Sequence, residues 1–372
     1  MSSIIYIVIP RRLPFYNHWS CLKDLSGRRR VLAGHKIGED RAESMKAIAY
    51  NTYGPPDVLH VAEVPKPTPK DNEILIKVRA AEATKTDCEM RSLKFSVKWF
   101  AWPMRLFLGV RKPKNPILGG YFSGEVVAVG KDVTKFKPGD EIFGNTGFTF
   151  GAYGEYLCLP DKRTLALKPK NISFAEAAAV PLGGFNALHF MRKAKIKPNE
   201  MVLVNGAGGS IGLFGVQIAK SMGAKVTGVD HTIKLDLLRR AGADQVVDYT
   251  SGDVFASGER YDVIFDMVAG SSYAGCIAAL NPGGRYLKGN PRFADMLRSI
   301  GTNLFSKKSA SFAFANETQE ELLALAAMLK DGQITSIVDK VFPMEQAAEA
   351  HRLVETEQRL GMIVIKMDQR RA

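Results

Sequence analysis

Hydrophobic and polar positions follow two different patterns along the 372-residue chain. Residues 45–170 contain short apolar runs, often alternating with polar residues, between turns rich in glycine and proline. This pattern predicts a small, barrel-like domain of β-strands. The predicted strands are 45–50, 73–80, 124–129, 141–143 and 153–159, with a turn at 137–140.

From about residue 173 the pattern changes to strands that alternate with helices. Ser173 followed by Glu176 is a capping box, which predicts the start of a helix. The alternation is the order expected of an α/β fold with a doubly wound parallel sheet. The predicted strands are 201–205, 225–229, 245–248, 261–266 and 284–287, and the predicted helices include 234–241 and 320–330.

The last part of the chain returns to the first pattern and ends in a predicted strand at 362–367. We therefore expect the second domain to interrupt the first. Residues 1–44 form a leader, in which a short apolar run is followed by arginines. A secretory signal has its positive charges before the apolar run, so we expect this leader to be disordered or not native. The expected divisions are a leader at 1–44, the first domain at 45–170, the second at 171–334, a return to the first at 335–367 and a tail at 368–372.

The segment 201–212 is the most informative part of the sequence. An apolar strand runs directly into a glycine-rich turn, and a helical pattern follows at once. Such a turn forms a pyrophosphate cradle, because glycines let the backbone approach the ligand and the helix N-terminus favours its negative charge. The sequence therefore predicts a dinucleotide cofactor, held at Gly206, Gly209, Ser210, Ile211 and Gly212.

The form of the cofactor depends on three residues further along. Asp230 ends the second predicted strand of this domain, where an acid accepts hydrogen bonds from the ribose hydroxyls of NAD. Lys234 and Tyr249 are expected near the same pocket and are suited to a 2′-phosphate instead. The prediction is NAD(P)H, with a slight preference for NADH because of Asp230. The alternative for Asp230 is a surface turn acid.

Charge and cysteine content exclude several classes of protein. The net charge is +13, but it is concentrated in the leader and in residues 92–116, which weakens the case for nucleic-acid binding. The four cysteines are far apart, which argues against a disulfide framework and favours a reducing, cytoplasmic location. No apolar run approaches the roughly 20 residues needed to cross a bilayer.

Several motifs occur in the order of a known family. With them, residues 45–367 resemble the medium-chain dehydrogenase/reductase superfamily, and most closely its zinc-free quinone oxidoreductase and enone reductase branch. The resemblance rests on the segments 80–87, 119–130, 136–144 and 151–156 and on the GxxGxxG spacing of Gly206, Gly209 and Gly212.

The resemblance implies a Rossmann domain inserted in a GroES-like β-barrel catalytic domain. It also implies an NAD(P)H-dependent oxidoreductase that acts on quinones, enones or related carbonyls, and a homodimer. Zinc-dependent members carry a cysteine where this chain has Thr84, a histidine at Gly120 and a further cysteine near 183–184. Since none of these residues ligates zinc in the usual way, we expect no metal.

Hydride transfer without a metal still benefits from a hydrogen-bond donor beside the developing negative charge. The candidates are Tyr121 and Thr84, which lie on the two motifs expected to face the cleft. The alternatives are that Tyr121 belongs to the barrel core and that Thr84 only replaces a lost ligand. Thr86 and Asp87 are expected to order the loop.

The basic segment 92–116 is also rich in aromatic residues. It is interpreted as a lid over the substrate cleft, as a loop packed on its own domain or a partner, or, less favoured, as a contact with a membrane surface. The competing function is a cofactor-binding protein without turnover, which uses this segment for lipid, RNA or protein contacts. The aromatic residues are Phe95, Trp99, Phe100, Trp102 and Phe107.

Overall fold

The computed structural model describes residues 43–96, 101–255, 257–312 and 315–367. Residues 1–42 of the expected leader and the tail 368–372 lie outside the described residues. Two residues of the expected leader belong to the fold. Ser44 begins the first strand, and the Glu43 carboxylate lies 2.6 Å from the Lys66 ammonium.

The first lobe is built from short strands, as the alternating pattern predicts. The strands β1–β7 are Ser44–Ala49, His60–Pro65, Glu73–Ala83, Tyr121–Val129, Glu141–Asn145, Tyr156–Pro160 and Leu165–Leu167. The first two, β1 and β2, form an antiparallel pair, and β3 pairs with both β4 and β6. Helices α1, Lys85–Ser92, and α2, Ala101–Leu108, lie between β3 and β4.

The second lobe is a six-stranded parallel sheet with helices between its strands. Helices α3, Phe174–Ala178, and α4, Pro181–Ala194, lead into it. The strands β8–β13 are Met201–Asn205, Lys225–Asp230, Gln245–Asp248, Tyr261–Asp266, Leu280–Lys288 and Ser309–Phe312. The helices α5–α9 are Ser210–Ser221, Leu235–Arg240, Tyr273–Ala279, Phe293–Phe305 and Gln319–Lys330.

The strand order of this sheet is β10-β9-β8-β11-β12-β13. The chain therefore builds outwards in one direction from β8 and then in the other from β11. Where the order reverses, the loops after β8 and β11 separate and leave a crevice at the carboxyl ends of the strands. The predicted α/β class with a doubly wound parallel sheet is confirmed.

The chain then returns to the first lobe. Strand β14, Val338–Pro343, helix α10, Ala347–Glu355, and strand β15, Met362–Lys366, complete its sheet. The order becomes β14-β15-β3-β4-β5-β7, with β15 antiparallel to β3. One cluster of buried apolar side chains fills the first lobe, and a second extends from the parallel sheet to first-lobe residues such as Ala80, Phe143 and Val364.

Predicted and observed elements differ mainly at their ends. The capping box is confirmed, since the Ser173 hydroxyl accepts from the Glu176 amide at 3.2 Å and the Glu176 carboxylate accepts from the Ser173 amide at 2.7 Å. The strand predicted at 153–159 begins at Tyr156. Its first residues instead form a turn, in which the Gly154 amide donates to the Gly151 carbonyl. In the described part of the chain no helix is long and apolar enough to cross a membrane.

Candidate functional site

A cavity of about 1400 Å³ lies at the carboxyl ends of the central parallel strands, and all eight predicted cofactor residues line it. The first lobe adds Lys85, Thr86 and Ser96 to its wall, and the returning chain adds 356–359. Residues from three separate parts of the sequence therefore share one site. The eight predicted residues are Gly206, Gly209, Ser210, Ile211, Gly212, Asp230, Lys234 and Tyr249.

The glycine turn between β8 and α5 depends on close backbone packing. Gly206 has a φ of +79°, in the left-handed region that favours glycine. A Cβ atom at Gly212 would lie 2.2 Å from the carbonyl oxygen of Gly206, so no other residue fits there without movement. Gly209 caps α5 without a side chain, and the amides of the first helical turn have no acceptor within the helix. The turn is therefore suited to bind a diphosphate.

Arg359 provides a positive charge at the cavity wall, although it was not predicted from the sequence. Its side chain is buried, and its Nε and Nη1 atoms have no hydrogen-bond partner among the described residues. A buried guanidinium normally pairs with a carboxylate or phosphate, because an unpaired buried donor is costly. Arg359 thus fits a bound diphosphate.

Glu82, at the end of β3, is a second buried group that sequence reasoning missed. Its Oε1 atom accepts from the Ser210 hydroxyl at 3.2 Å, and its Oε2 atom has no partner among the described residues. Burial raises the pKa of Glu82 to about 8, against the opposing effects of Arg359 and Ser210. A signal was present in the sequence, since Glu82 continues the buried alternation of Ile74 and Ile76 along β3.

Asp230 is held beside the glycine turn. Its Oδ2 atom accepts from the Gly208 amide at 2.7 Å, and its Oδ1 atom accepts from the His231 amide at 2.8 Å. The Lys234 ammonium lies 3.5 Å from Oδ1, and both side chains are buried. Tyr249 is half exposed and packs edge-on against the His231 ring. The Asp230 carboxylate is therefore buried against the glycine turn. It is not an exposed acid on a surface turn.

A buried ionic network orders the loop that follows β11. The Asp266 carboxylate accepts from the Asn205 amide group at 3.0 Å, the Tyr286 hydroxyl at 2.6 Å and the Lys288 ammonium at 3.2 Å. It also accepts from the backbone amide of Val268 at 3.0 Å. Since residues 267–271 line the cavity, this network fixes one of its walls.

Thr84 forms a helix cap and does not line the cavity. Its hydroxyl donates to the Asp87 carboxylate at 2.6 Å and accepts from the Asp87 amide at 3.1 Å, in a buried capping box at the start of α1. Asp87 also accepts from the Gly119 amide at 3.1 Å, and burial raises the pKa of Asp87 to about 6. The hydroxyl hydrogen of Thr84 is therefore already donated to Asp87.

Tyr121 is largely buried, and it too is absent from the cavity wall. Its hydroxyl donates at 2.7 Å to the carboxylate of Glu317, which does line the cavity. The Asn145 amide group donates to the other oxygen of Glu317 at 2.6 Å. Glu317 was not predicted, because it lies 196 residues from Tyr121 and no local pattern marks it.

The three positions at which zinc-dependent members carry ligands hold no usual zinc ligand in this chain. Within the described ranges, no group of three or more His, Cys, Asp or Glu side chains is arranged to hold a metal. Thr84 is bound to Asp87, and Gly120 has no side chain. A Cβ atom at Gly183 would lie 2.6 Å from both Phe214 and the Ser210 carbonyl oxygen, so a ligating side chain has no room there.

The basic aromatic segment is partly packed and partly exposed. It is not one helix, since α1 ends at Ser92 and α2 begins at Ala101. Phe95 packs against the first-lobe core, whereas Trp102 is 72% exposed and Phe107 contacts Phe148 edge-on. Ser96 reaches the cavity wall. Trp99 and Phe100 lie outside the described residues.

Comparisons with known proteins agree with this architecture. Family models described as an alcohol dehydrogenase GroES-like domain and a zinc-binding dehydrogenase match residues 70–170 and 241–365. A quinone oxidoreductase from Sus scrofa is 31% identical over 82% of this chain and 93% of its own length. An NADPH-dependent alkenal/one oxidoreductase, chloroplastic, from Arabidopsis thaliana is 31% identical over 87% of this chain and 80% of its own.

A solved structure extends the same comparison. The quinone oxidoreductase from Coxiella burnetii superimposes with a TM-score of 0.77 and 28% identity, covering 88% of this chain and all of that one. Together with the GroES-like model, this confirms the fold that the family resemblance implies.

Gly212→Ala is expected to weaken dinucleotide binding about tenfold or more. The added methyl group overlaps the Gly206 carbonyl and displaces the turn, and such overpacking costs about 1–3 kcal/mol. The measurement is the Kd for NADH and NADPH by calorimetry. Gly301→Ala on α8, where a Cβ atom meets nothing within 4 Å, is the control. An unchanged Kd for Gly212→Ala would contradict the proposed role of the turn.

Proposed function

We propose a specific reaction for this chain, which belongs to the medium-chain dehydrogenase/reductase superfamily and to its quinone oxidoreductase-like branch. The chain is an oxidoreductase, and the proposed reaction is hydride transfer from a nicotinamide cofactor to a quinone, an enone or a related carbonyl. The observation that carries the proposal is the single cavity that is lined by both the predicted cofactor residues and Glu317.

The residues present fit a dinucleotide. The glycine turn and Arg359 would hold its diphosphate, and Asp230 would accept from a ribose hydroxyl. When bound, the nicotinamide supplies the hydride. The protein's own part is to orient the two reactants and to exclude water from the cavity. A conjugated acceptor spreads the resulting negative charge onto its oxygen, so the site needs a proton source there but no metal.

Zinc independence is part of the proposal, despite the name of one matching family model. Two observations support it. Neither Thr84 nor Gly120 offers a usual zinc ligand, and a ligating side chain at position 183 would have no room. The slight preference for NADH is supported by the carboxylate of Asp230, which is fixed beside the turn by two backbone amides.

We also propose a homodimer. Helix α8 buries polar side chains, Asp295 and Ser299, and exposes an apolar stripe on its other face. It packs beside β13, the edge strand of the parallel sheet, so the stripe and the open edge are available together. The exposed residues are Phe293, Leu297, Ile300, Leu304 and Phe305. The cytoplasmic location stays a prediction.

Purified protein is expected to oxidise NAD(P)H steadily with quinones or enones and to contain no stoichiometric zinc. The measurements are initial rates over a panel of 1,4-quinones and α,β-unsaturated ketones, and elemental analysis of the same sample. Turnover should survive dialysis against a chelator. Cofactor binding without turnover on any acceptor would favour the non-catalytic binding protein, and one tightly held zinc per chain would contradict zinc independence.

Tyr121→Phe and Thr84→Val are expected to act on different quantities. Tyr121→Phe removes the hydrogen bond to Glu317 at the cavity wall and should lower kcat/KM about tenfold or more. Thr84→Val removes a helix cap and should lower the free energy of unfolding by about 1–2 kcal/mol. Urea unfolding and steady-state kinetics on both variants check this. If Tyr121→Phe keeps the wild-type kcat/KM, Tyr121 does not contribute to catalysis.

Asp230→Ser is expected to lower the ratio of kcat/KM for NADH over NADPH by about tenfold or more. It removes an ionised acceptor for the ribose, and a hydrogen bond to a charged group contributes about 1.5–3 kcal/mol. Asp236→Ser on α6, where the side chain is 91% exposed, is the matched control. A wild-type preference for NADPH, or an unchanged ratio in Asp230→Ser, would remove Asp230 from the proposed role.

A further inference from the structure

Glu317 occupies a conformation that its neighbours must maintain. It lies between β13 and α9 with a φ of +49°, in the left-handed region that non-glycine residues rarely adopt. Three contacts from the first lobe hold it there. Tyr121 on β4 and Asn145 on β5 donate to its carboxylate, and the Thr164 hydroxyl donates to its backbone carbonyl at 2.9 Å. Such strain persists only where surrounding structure fixes it, and it is common at functional sites.

Glu317 lines the cavity, whereas Tyr121 does not. The Tyr121 hydroxyl has a single hydrogen and gives it to Glu317. Each oxygen of Glu317 accepts one hydrogen bond from these two neighbours, whereas a carboxyl group offers about four acceptor positions. The carboxyl group therefore keeps capacity for a partner on the cavity side.

The surroundings raise the pKa of both members of this pair. Burial raises the pKa of Glu317, and the charge of Glu321 on α9 adds to the effect, against the hydrogen bonds from Tyr121 and Asn145. Burial also raises the pKa of Tyr121 well above its ordinary value, with further contributions from Glu317, Glu82 and Asp87. Tyr121 consequently keeps its proton over the working range, and Glu317 is the member of the pair that exchanges one.

We propose that Glu317 is a catalytic acid, which gives a proton to the substrate oxygen, and that Tyr121 and Asn145 are its positioning residues. This inference rests on the proposed function. In the step, the O–H bond of the Glu317 carboxylic acid breaks, and a new O–H bond forms on the oxyanion of a substrate that has accepted hydride. The remaining carboxylate is stabilised by the Tyr121 O–H and the Asn145 N–H groups, and solvent returns the proton after the product has left the cavity.

The competing role for Glu317 is purely structural, because it also joins the segment before α9 to three elements of the first lobe. The two roles differ in what an amide can replace. Glu317→Gln keeps the size of the side chain and one hydrogen-bond acceptor, but it has no acidic proton. A purely structural role of Glu317 would therefore survive this substitution in large part, whereas proton donation would be lost.

Glu317→Gln is expected to lower kcat on a quinone or enone about 100-fold, the scale of a lost general acid, without changing the Kd for the cofactor. In the wild type, kcat should fall as pH rises through the raised pKa of Glu317, since only the protonated acid is active. Glu317→Gln should lack this fall, and Glu317→Asp, which keeps an acidic proton, should restore it. Glu320→Gln in the first turn of α9, with its side chain 85% exposed, is the matched control.

Thermal unfolding of each variant separates the two roles. A Glu317→Gln protein with wild-type kcat and the wild-type pH profile, whatever its Tm, overturns the proposal, as does a Glu317→Asp protein that folds but does not regain the pH-dependent fall. Failure of the wild type to turn over any acceptor overturns the proposed function itself. Turnover by the wild type with no effect in Glu317→Gln overturns only the assignment of Glu317.

Discussion

The antiparallel pairing of β15 with β3 determines the arrangement of the whole cleft. It joins the end of the chain to its first long strand, with Ile363 opposite Ala83 and Lys366 opposite Ala80. The parallel sheet is consequently an insertion that leaves the first lobe and must return to it. The chain is held to the first lobe both where it leaves and where it returns. The carboxyl ends of β8 and β11 consequently open towards the first lobe. The same pairing brings Glu82, at the end of β3, and Arg359, just before β15, to the edge of the glycine turn.

Buried carboxylates in this protein are of two kinds. Asp87 and Asp266 accept several hydrogen bonds each from neighbouring backbone and side-chain donors, so their burial serves the fold. Glu82 keeps an oxygen without a partner among the described residues, and Arg359 keeps two such nitrogens. Since native proteins pair nearly all buried polar groups, the unpaired nitrogens of Arg359, which lines the cavity, fit a bound ligand as their missing partner.

The extent to which the site could be predicted depends on sequence separation. The glycine turn, Asp230 and Lys234 lie within 30 residues of one another, and strand periodicity with turn chemistry was enough to place them around one cavity. Glu82 meets Ser210 across 128 residues and Tyr121 meets Glu317 across 196, so no local pattern could pair them. Thr84 is a different case. Thr84 and Asp87 have the spacing of a capping box, a local signal that explains the hydroxyl without catalysis.

The proposed preference for NADH over NADPH depends on the partners of one carboxylate, that of Asp230. The ammonium of Lys234 lies beside Asp230, and its aliphatic chain covers Gly208, where a Cβ atom would lie 2.4 Å from it. A 2′-phosphate would draw Lys234 away and leave a buried carboxylate next to a second anion, which is unfavourable. A ribose hydroxyl requires only one free acceptor position on Asp230, and its present contacts leave one. In the proposed NADH complex, Lys234 holds Asp230 in place and does not bind a phosphate.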